Sequence, residues 1–484
     1  KSSSADYFLA GHTLPWYVVG GSFIASNIST EHFIGMIGAA FIYGICVAQS
    51  EWTTVFSYSL LIWFFIPFLM AAKVFTTPEF LEKRFNATLR QFFAIVTVIS
   101  NVVAFLAAVL YGGGLALHKL FGWDLWFAII ALGVVAGSWA IYGGLRSVAW
   151  TDLFTVIIMV AGGLMVSILG LYMLSGDSHS LIEGFRVVIE RNQAKAGIWA
   201  EVVARNAQKV VHTDHYNRLA IMQPITHEVV PWPSVIFGAF YVGIWYNVIN
   251  QFMIQRVLGA KTERDAQLGP LFAGFLKILP VFILVFPGVI GYILFKDIIG
   301  TNSNQTLPVL INELIPTGMK GLIAAGLLAA LMSTIAAALN SSATLVAVDI
   351  VKRLNPRVSD RKQVQIGRVS AVVVMLLAML WSTQGGKYSS IFEAINAIAS
   401  DLAPPITAVF LWGVFYKRGT KQAALATLII GFLLGAVAFF LDLPVIGTEK
   451  IITHVWGIPF MTVSYTHLRA HETSLHLVCR LLLE

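Results

Sequence analysis

Charge is what this chain has least of. Only 12% of its 484 residues are Asp, Glu, Lys or Arg, and 57% are hydrophobic. A soluble domain is roughly a quarter charged. With a mean hydropathy of +0.77, the chain reads as a polytopic membrane protein that uses the bilayer as its solvent. Cysteine is nearly absent too. Cys46 and Cys479 alone exclude a disulfide framework, and Cys46, inside an apolar run, reads as a buried thiol. No secretory signal pattern is present. The start is polar, Lys1-Ser-Ser-Ser, and lacks Met, so upstream residues are expected to be missing. No Ser/His/Asp set, metal-ligand spacing or paired-carboxylate motif falls at one membrane depth, which argues against an enzyme. No basic module argues for nucleic acid.

What is present is a series of apolar segments long enough to span. They lie near 14–45, 51–72, 90–118, 124–143, 149–174, 233–255, 266–295, 317–350, 366–384, 389–415 and 421–441. Lys and Arg crowd the alternate loops 73–90, 143–148, 256–264, 352–368 and 417–421. The opposite short loops hold only Lys119, Lys296, Lys320, Lys387 and Lys450. The positive-inside rule therefore puts the first set, with the N-terminal segment, in the cytoplasm. The long loop 175–232 then faces outside, and its His212, His215 and His227 read as solvated rather than metal-binding. Five spans precede that loop, and the next five of the six after it are their counterparts. An odd number per half gives the halves opposite orientation, the arithmetic of an inverted repeat.

The first span is apolar at both ends but polar in its middle, Ser26 to His32. A polar run at membrane depth needs a partner or a ligand, and broken helices are tolerated where they line a cavity. Asn27, Ser29, Thr30, Glu31 and His32 are followed by Glu51, Trp52 and Thr54. Amide, carboxylate and imidazole together suit a polyhydroxylated ligand, and Trp52 reads as an apolar wall. Lys277 lies deep in its span, with Glu31, Glu51 and Glu393 as candidate partners, since a buried ammonium needs a carboxylate or a dense shell of acceptors. Ala330, Ser333 and Thr334 share a helix face. Two hydroxyls and a carbonyl form a hard, neutral oxygen set, suited to a small monovalent cation, whereas divalent sites normally show carboxylates. Helix packing is the competing explanation for such hydroxyls. Glu393, Asn396 and Ser400 form a polar stripe, and Pro404-Pro405 is expected to kink or interrupt that helix. The sixth span adds Tyr246, Asn247, Asn250 and Gln251.

These residues together resemble the sodium/solute symporter family, in particular its sodium–glucose cotransporter branch. The resemblance rests on DYFLAG and PW at the start, SNISTEHFIG at the break, then SEW and TTPEFLEKRF. IYGGLRSVAWTD, QFMIQR, FLK, LNSSATL and APPITAVFLWG follow in order. It covers roughly residues 6 to 440. It implies an all-α polytopic membrane protein with a LeuT-type five-plus-five inverted repeat, its first and sixth core helices broken. Members carry one helix before the broken one and more after the eleventh span. The implied segments are a cytoplasmic 1–13, a first repeat 14–174, an extracellular loop 175–232 and a second repeat 233–416. An additional helix and loop occupy 417–462, and 463–484 reads as a non-native tail.

The resemblance also implies residue roles. The carbonyls of Ala25, Ile28 and Ala330 with the hydroxyls of Ser333 and Thr334 would hold sodium. Asn27, His32, Glu51, Thr54 and Lys277 would meet substrate. Glu31 is left to touch substrate, pair with Lys277 or steady the break. Tyr246 would be the inner gate, with Met36 and Phe392 at the outer gate. Asp152 stands where members place an acidic residue near the sodium route. Three departures bear on the sugar: Asn396 replaces a glutamine, Gly243 a polar residue, and Ser50 an outer-gate aromatic. Ala336 and Ala337 stand where members with a second sodium site carry hydroxyls, so one sodium per substrate is expected. The implied activity is sodium-driven import of a glucose- or galactose-like monosaccharide across the plasma (inner) membrane, with sodium co-transported and no nucleic-acid partner. The alternatives are another solute, such as inositol or a sugar acid, and a sugar sensor that does not transport.

Overall fold

The computed structural model describes residues 3–28, 31–193, 217–225, 227, 230–233, 236, 239–300, 302–383 and 391–442. Side chains are described for all of these except 31, 104, 193, 239, 391–402 and 438–442. The Ser29 and Thr30 positions, much of the 175–232 loop and the 463–484 tail lie outside the described residues. So do the side chains of Glu31, Phe392, Glu393 and Asn396.

After a short helix α1 (Ser4–Phe8), the first span divides where its polar middle lies. Helix α2 (Trp16–Asn27) stops at Ile28, whose φ of −94° and ψ of 100° are extended. The chain resumes as a π-type turn, Glu31–Met36, running into α3 (Ile37–Tyr43). The sixth span divides the same way. Helix α9 (Ala239–Ile244) with its π-type continuation Trp245–Ile249 ends at extended Asn250, and α10 (Gln251–Leu258) follows. Asn250 caps α10, its side chain accepting the Phe252 N–H. A polar residue at each break has a physical reason. Leaving the helix exposes backbone groups that must find partners inside the protein. The start of α2 and the end of α10 are tied together: Leu14 N–H donates to the Gly259 carbonyl at 3.1 Å, and Lys261 N–H donates to the Leu14 carbonyl at 2.9 Å.

The remaining spans surround these two. The second runs from α4 (Thr54–Leu60) to Ala72, and α5 (Thr77–Arg84) connects it to the third, which begins with α6 (Ala87–Ser100). The fourth and fifth spans form one long element, α7 (Leu125–Leu174), which turns at Gly144. There φ is 62° and ψ −177°, a conformation that favours glycine. A Cβ at this point would meet the Tyr7 carbonyl oxygen at 2.7 Å. Helix α8 (Leu181–Gln193) leads into the long loop. The seventh span is α11 (Glu263–Leu276) and α12 (Phe286–Ile299), separated by a relaxed turn around Lys277 and Pro280. Pro280 lacks an N–H, so the regular ladder lapses next to Lys277. The eighth to eleventh spans are α13 (Thr317–Thr344), α14 (Asp360–Ser382), α15 (Ile391–Phe415) and α16 (Lys421–Asp442). Helix α15 runs on through Pro404 and Pro405, each of which withholds an N–H from its ladder.

Among the described residues, six helices are long and apolar enough to cross a membrane, and the shorter apolar stretches belong to the sixth, tenth and eleventh spans. Exposed Leu, Ile, Val and Phe side chains cover the outside of the bundle. Such a surface is stable against lipid and not against water. The architecture is the five-plus-five arrangement around two broken helices, and α2 packs against α11, α7 and α13.

Candidate functional site

At the first break, four elements bring polar side chains together. Lys277 and Glu51 are each only 2% exposed. Lys277 Nζ donates to Glu51 Oε2 at 2.5 Å and also to Asn27 Oδ1. The lapse at Pro280 matters here because it sets the ammonium at the end of α11, facing the end of α2. Glu51, one of the three carboxylates proposed as a partner, is paired with Lys277, and the side chains of the other two, Glu31 and Glu393, lie outside the described residues. His32 Nε2 lies 3.1 Å from the other Glu51 oxygen, Oε1. The carboxylate thus bridges an ammonium and an imidazole, which accounts for a charge at this depth.

The network extends to Asn247 of the sixth span and to Ser57, which the sequence reading did not single out. Asn27 Nδ2 donates to Asn247 Oδ1 at 3.2 Å, and Asn247 Nδ2 donates to Ser57 Oγ at 3.1 Å. Ser57 Oγ donates in turn to the Thr54 carbonyl at 2.8 Å. Asn27 and Asn247, from the two broken spans, are therefore directly bonded. Ser57 had a legible signal: with Glu51 and Thr54 it continues a polar stripe along an apolar span. The Thr54 hydroxyl donates to the Glu51 carbonyl, leaving only its lone pairs for a ligand. The Tyr58 hydroxyl is buried without a hydrogen-bond partner and lies within electrostatic reach of Glu51. Trp52, read as a wall, is instead 39% exposed on the surface.

The candidate gates occupy different settings. Met36 is buried in the π-type turn before α3. Tyr246 packs edge-on to Phe252 with centroids 5.4 Å apart and tilts against Phe105 at 6.0 Å. Ser50 bonds its own helix through the Val47 carbonyl. A Cβ at Gly243 would touch Ser57 Oγ at 3.5 Å, so this position borders the polar network.

The candidate sodium ligands are divided between α2 and α13, which pack together. Ala25, Ile28, Ala330 and Thr334 are fully buried or nearly so. The extended Ile28 no longer continues the helical ladder beyond its own N–H, which bonds Ile24. Thr334 Oγ1 donates to the Ala330 carbonyl at 3.2 Å, leaving its lone pairs available. The Ser333 hydroxyl is buried, makes no hydrogen bond of good geometry and lies within reach of Asp152. Buried oxygens without a proton donor are what a desolvated monovalent cation would need.

Asp152 itself sits in a second buried cluster. Ser22 Oγ donates to Asp152 Oδ2 at 2.5 Å, and Arg256 Nη2 lies 3.4 Å from the same oxygen. Arg256 Nε donates to Ser22 Oγ at 2.6 Å, and Nη2 donates to Ser26 Oγ. Counting charges by loop assigned Arg256 to the cytoplasmic surface, but it is 1% exposed. Its cluster joins α2, α7 and α10, linking both broken spans. His227 also departs from expectation. It is buried rather than solvated, with its ring edge-on to Tyr43. No group of His, Cys, Asp and Glu among the described residues is arranged to hold a metal ion.

The sodium:solute symporter family model matches residues 7–431. The sodium/glucose cotransporter of Vibrio parahaemolyticus is 33% identical over 441 residues, covering 88% of this chain and 77% of that protein. The sodium/myo-inositol cotransporter 2 of Rattus norvegicus is 33% identical over 463 residues, covering 91% of this chain. The alignment takes in 66% of that relative, just under two thirds of its length. Among solved structures, a Na+-coupled sialic acid symporter in a substrate-bound outward-open state matches with a TM-score of 0.73. It is 20% identical, with 92% of this chain and 93% of that one covered. A nucleobase-cation-symport-1 family transporter in a closed conformation matches with a TM-score of 0.55 at 15% identity, covering 99% of this chain and 96% of that one. These structural likenesses support the fold, and the sequence matches extend along nearly the whole bundle. The chain belongs to the sodium:solute symporter family, a family of multi-pass membrane transporters rather than enzymes.

Proposed function

We propose that this protein couples the inward movement of one sodium ion to that of one monosaccharide or polyol, by alternating access. The observation that carries the proposal is the buried Lys277–Glu51–Asn27 network at the break between α2 and α3. It offers ammonium, amide and imidazole donors beside carboxylate and amide acceptors. Vicinal hydroxyls can exchange for these partners one at a time without leaving any buried group unpaired. Sodium held by Ala25, Ile28, Ala330, Ser333 and Thr334 would tie α2 to α13. It would favour the state in which Asn27 and His32 face the outer side, since an ion acts only through its differential affinity for the states. Met36, with Phe392, would then close over substrate, and Tyr246 would yield toward the cytoplasm. Glu31, Thr54, Asn396 and Tyr246 complete the proposed substrate contacts. The N-terminal segment is placed in the cytoplasm and the protein in the plasma (inner) membrane.

One charge crossing ~100 mV contributes about 2.3 kcal/mol, and a tenfold sodium gradient about 1.4 kcal/mol more. Together these allow accumulation of several hundredfold. Glucose and galactose are the first candidates. Myo-inositol is a second reading, favoured by relatives that carry that name and match at similar identity. The test is uptake of labelled glucose, galactose and myo-inositol into proteoliposomes with an imposed sodium gradient. Uptake of one of them that collapses without sodium supports the proposal. Uptake indifferent to sodium overturns the coupling. Sodium-dependent binding without uptake would make the protein a sensor.

A further inference from the structure

The loop after the fifth span reaches back onto the first. Arg218, only 3% exposed, lies across the C-terminal end of α3. Its Nη1 donates to the Ile42 carbonyl at 2.6 Å, and its Nη2 donates to the Phe41 and Ala40 carbonyls at 2.8 and 3.3 Å. The guanidinium carbon stands 3.8 Å from the ring centroid of Tyr292 in α12. Nε donates to Asn192 Oδ1 at 2.9 Å, tying in the end of α8. The backbone takes part as well. Ile45 N–H donates to the Arg218 carbonyl at 2.8 Å. Gly44, with φ of 83°, is pressed so close that a Cβ there would meet the same oxygen at 2.3 Å.

The last carbonyls of a helix lack intrahelical donors and carry its negative dipole end, so a cation there is favourable. A planar fork meets several carbonyls and an aromatic face at once, which a lysine cannot do. Burial pushes the guanidinium down to about 10, so it still carries its charge at neutral pH. The segment it grips also carries Met36 and, at its other end, His32. Ile42 is ten residues beyond His32, about 15 Å at ~1.5 Å per residue.

We infer that Arg218 is a positioning residue, a clamp on the far end of the half-helix that carries His32 and Met36, and that it sets how readily that half-helix moves during transport. This rests on the transport reading above. The clamp joins α3 to α12 and to the loop, so releasing it lets α3 move without its neighbours. A bulky loop that merely covered the surface would need neither the three carbonyl bonds nor the ring beneath them.

Cys46, buried two residues beyond Gly44, supplies a reporter that does not depend on transport. The experiment compares wild type, Arg218→Lys and Arg218→Gln in nanodiscs, all in a Cys479→Ser background, by the rate at which a hydrophilic maleimide labels Cys46. The same proteins are assayed for uptake in proteoliposomes. Arg218→Gln should label about tenfold faster and raise the substrate KM several-fold, with a smaller change in maximal rate. Arg218→Lys should fall between it and wild type. Unchanged labelling and unchanged KM in Arg218→Gln would overturn the clamp, as would a loss of maximal rate alone. If wild type carries none of the tested solutes, the transport reading fails while the labelling rates still decide whether Arg218 holds α3.

Discussion

Glu51 and Lys277 each bury a charge that is tolerable only because the other is present. Removing one partner of such a pair typically costs about 3–5 kcal/mol. Lys277→Met should therefore lower the thermal stability of the purified protein sharply and abolish sodium-driven uptake. Adding Glu51→Gln to it should recover much of the stability and none of the uptake, since the polar groups for substrate are still gone. Melting curves with parallel uptake assays separate the two effects. Ser333→Ala with Thr334→Ala makes a different prediction. These hydroxyls bond little else, so stability should change slightly while the sodium concentration for half-maximal uptake rises at least tenfold. A sodium titration at fixed substrate measures this, and an unchanged half-saturation would remove both residues from the ion site.

Elements depend on single backbone positions as much as on their hydrophobic faces. Helix α7 turns at Gly144 in a conformation that side chains avoid, against the Tyr7 carbonyl. Gly144→Ala should cost about 1–3 kcal/mol from backbone strain alone, read as a lower melting temperature with unchanged substrate KM in the surviving protein. The loop packed on α3 carries a pH signature. His227 Nδ1 accepts the Val230 N–H at 3.0 Å, which requires that nitrogen to be unprotonated. Burial lowers the ring's value from 6.5 to about 3. A folded value below the unfolded one means the neutral ring stabilises the fold fully above about pH 6.5, and this contribution is lost as pH falls toward 3. Hydrogen exchange of the Val230 amide should be protected at pH 7 and lose protection faster on acidification in wild type than in His227→Gln.

At the scale of the whole molecule, the two breaks face one another across directly bonded amides, Asn27 and Asn247. A shift at either break therefore has to carry or break that bond, and the Arg256–Asp152 cluster, with Ser22 and Ser26, adds a second tie between the same spans. One sodium per cycle is expected because Ala336 and Ala337 offer no hydroxyl for a second ion. Reversal-potential measurements in proteoliposomes should give a charge-to-substrate ratio of one, and a ratio of two would require an ion site elsewhere.

By itself the sequence determined the solvent and the position of the first break. Low charge forces the chain into lipid, span length follows from bilayer thickness, and a polar run at that depth must interrupt a helix or bind something. It also pointed to Asn27, His32, Glu51 and Lys277, because polar and ionisable groups at membrane depth rarely lack a purpose. Which groups meet was decided only in three dimensions. Glu51 as the Lys277 partner, Asn247 and Ser57 as the bonds that continue from Asn27, and Arg256 as a buried charge all depend on contacts between distant spans, which no local spacing encodes. Arg218 was the least legible. A lone arginine in a polar loop carries no periodicity, and its role arises because the loop returns to the C-terminal end of α3.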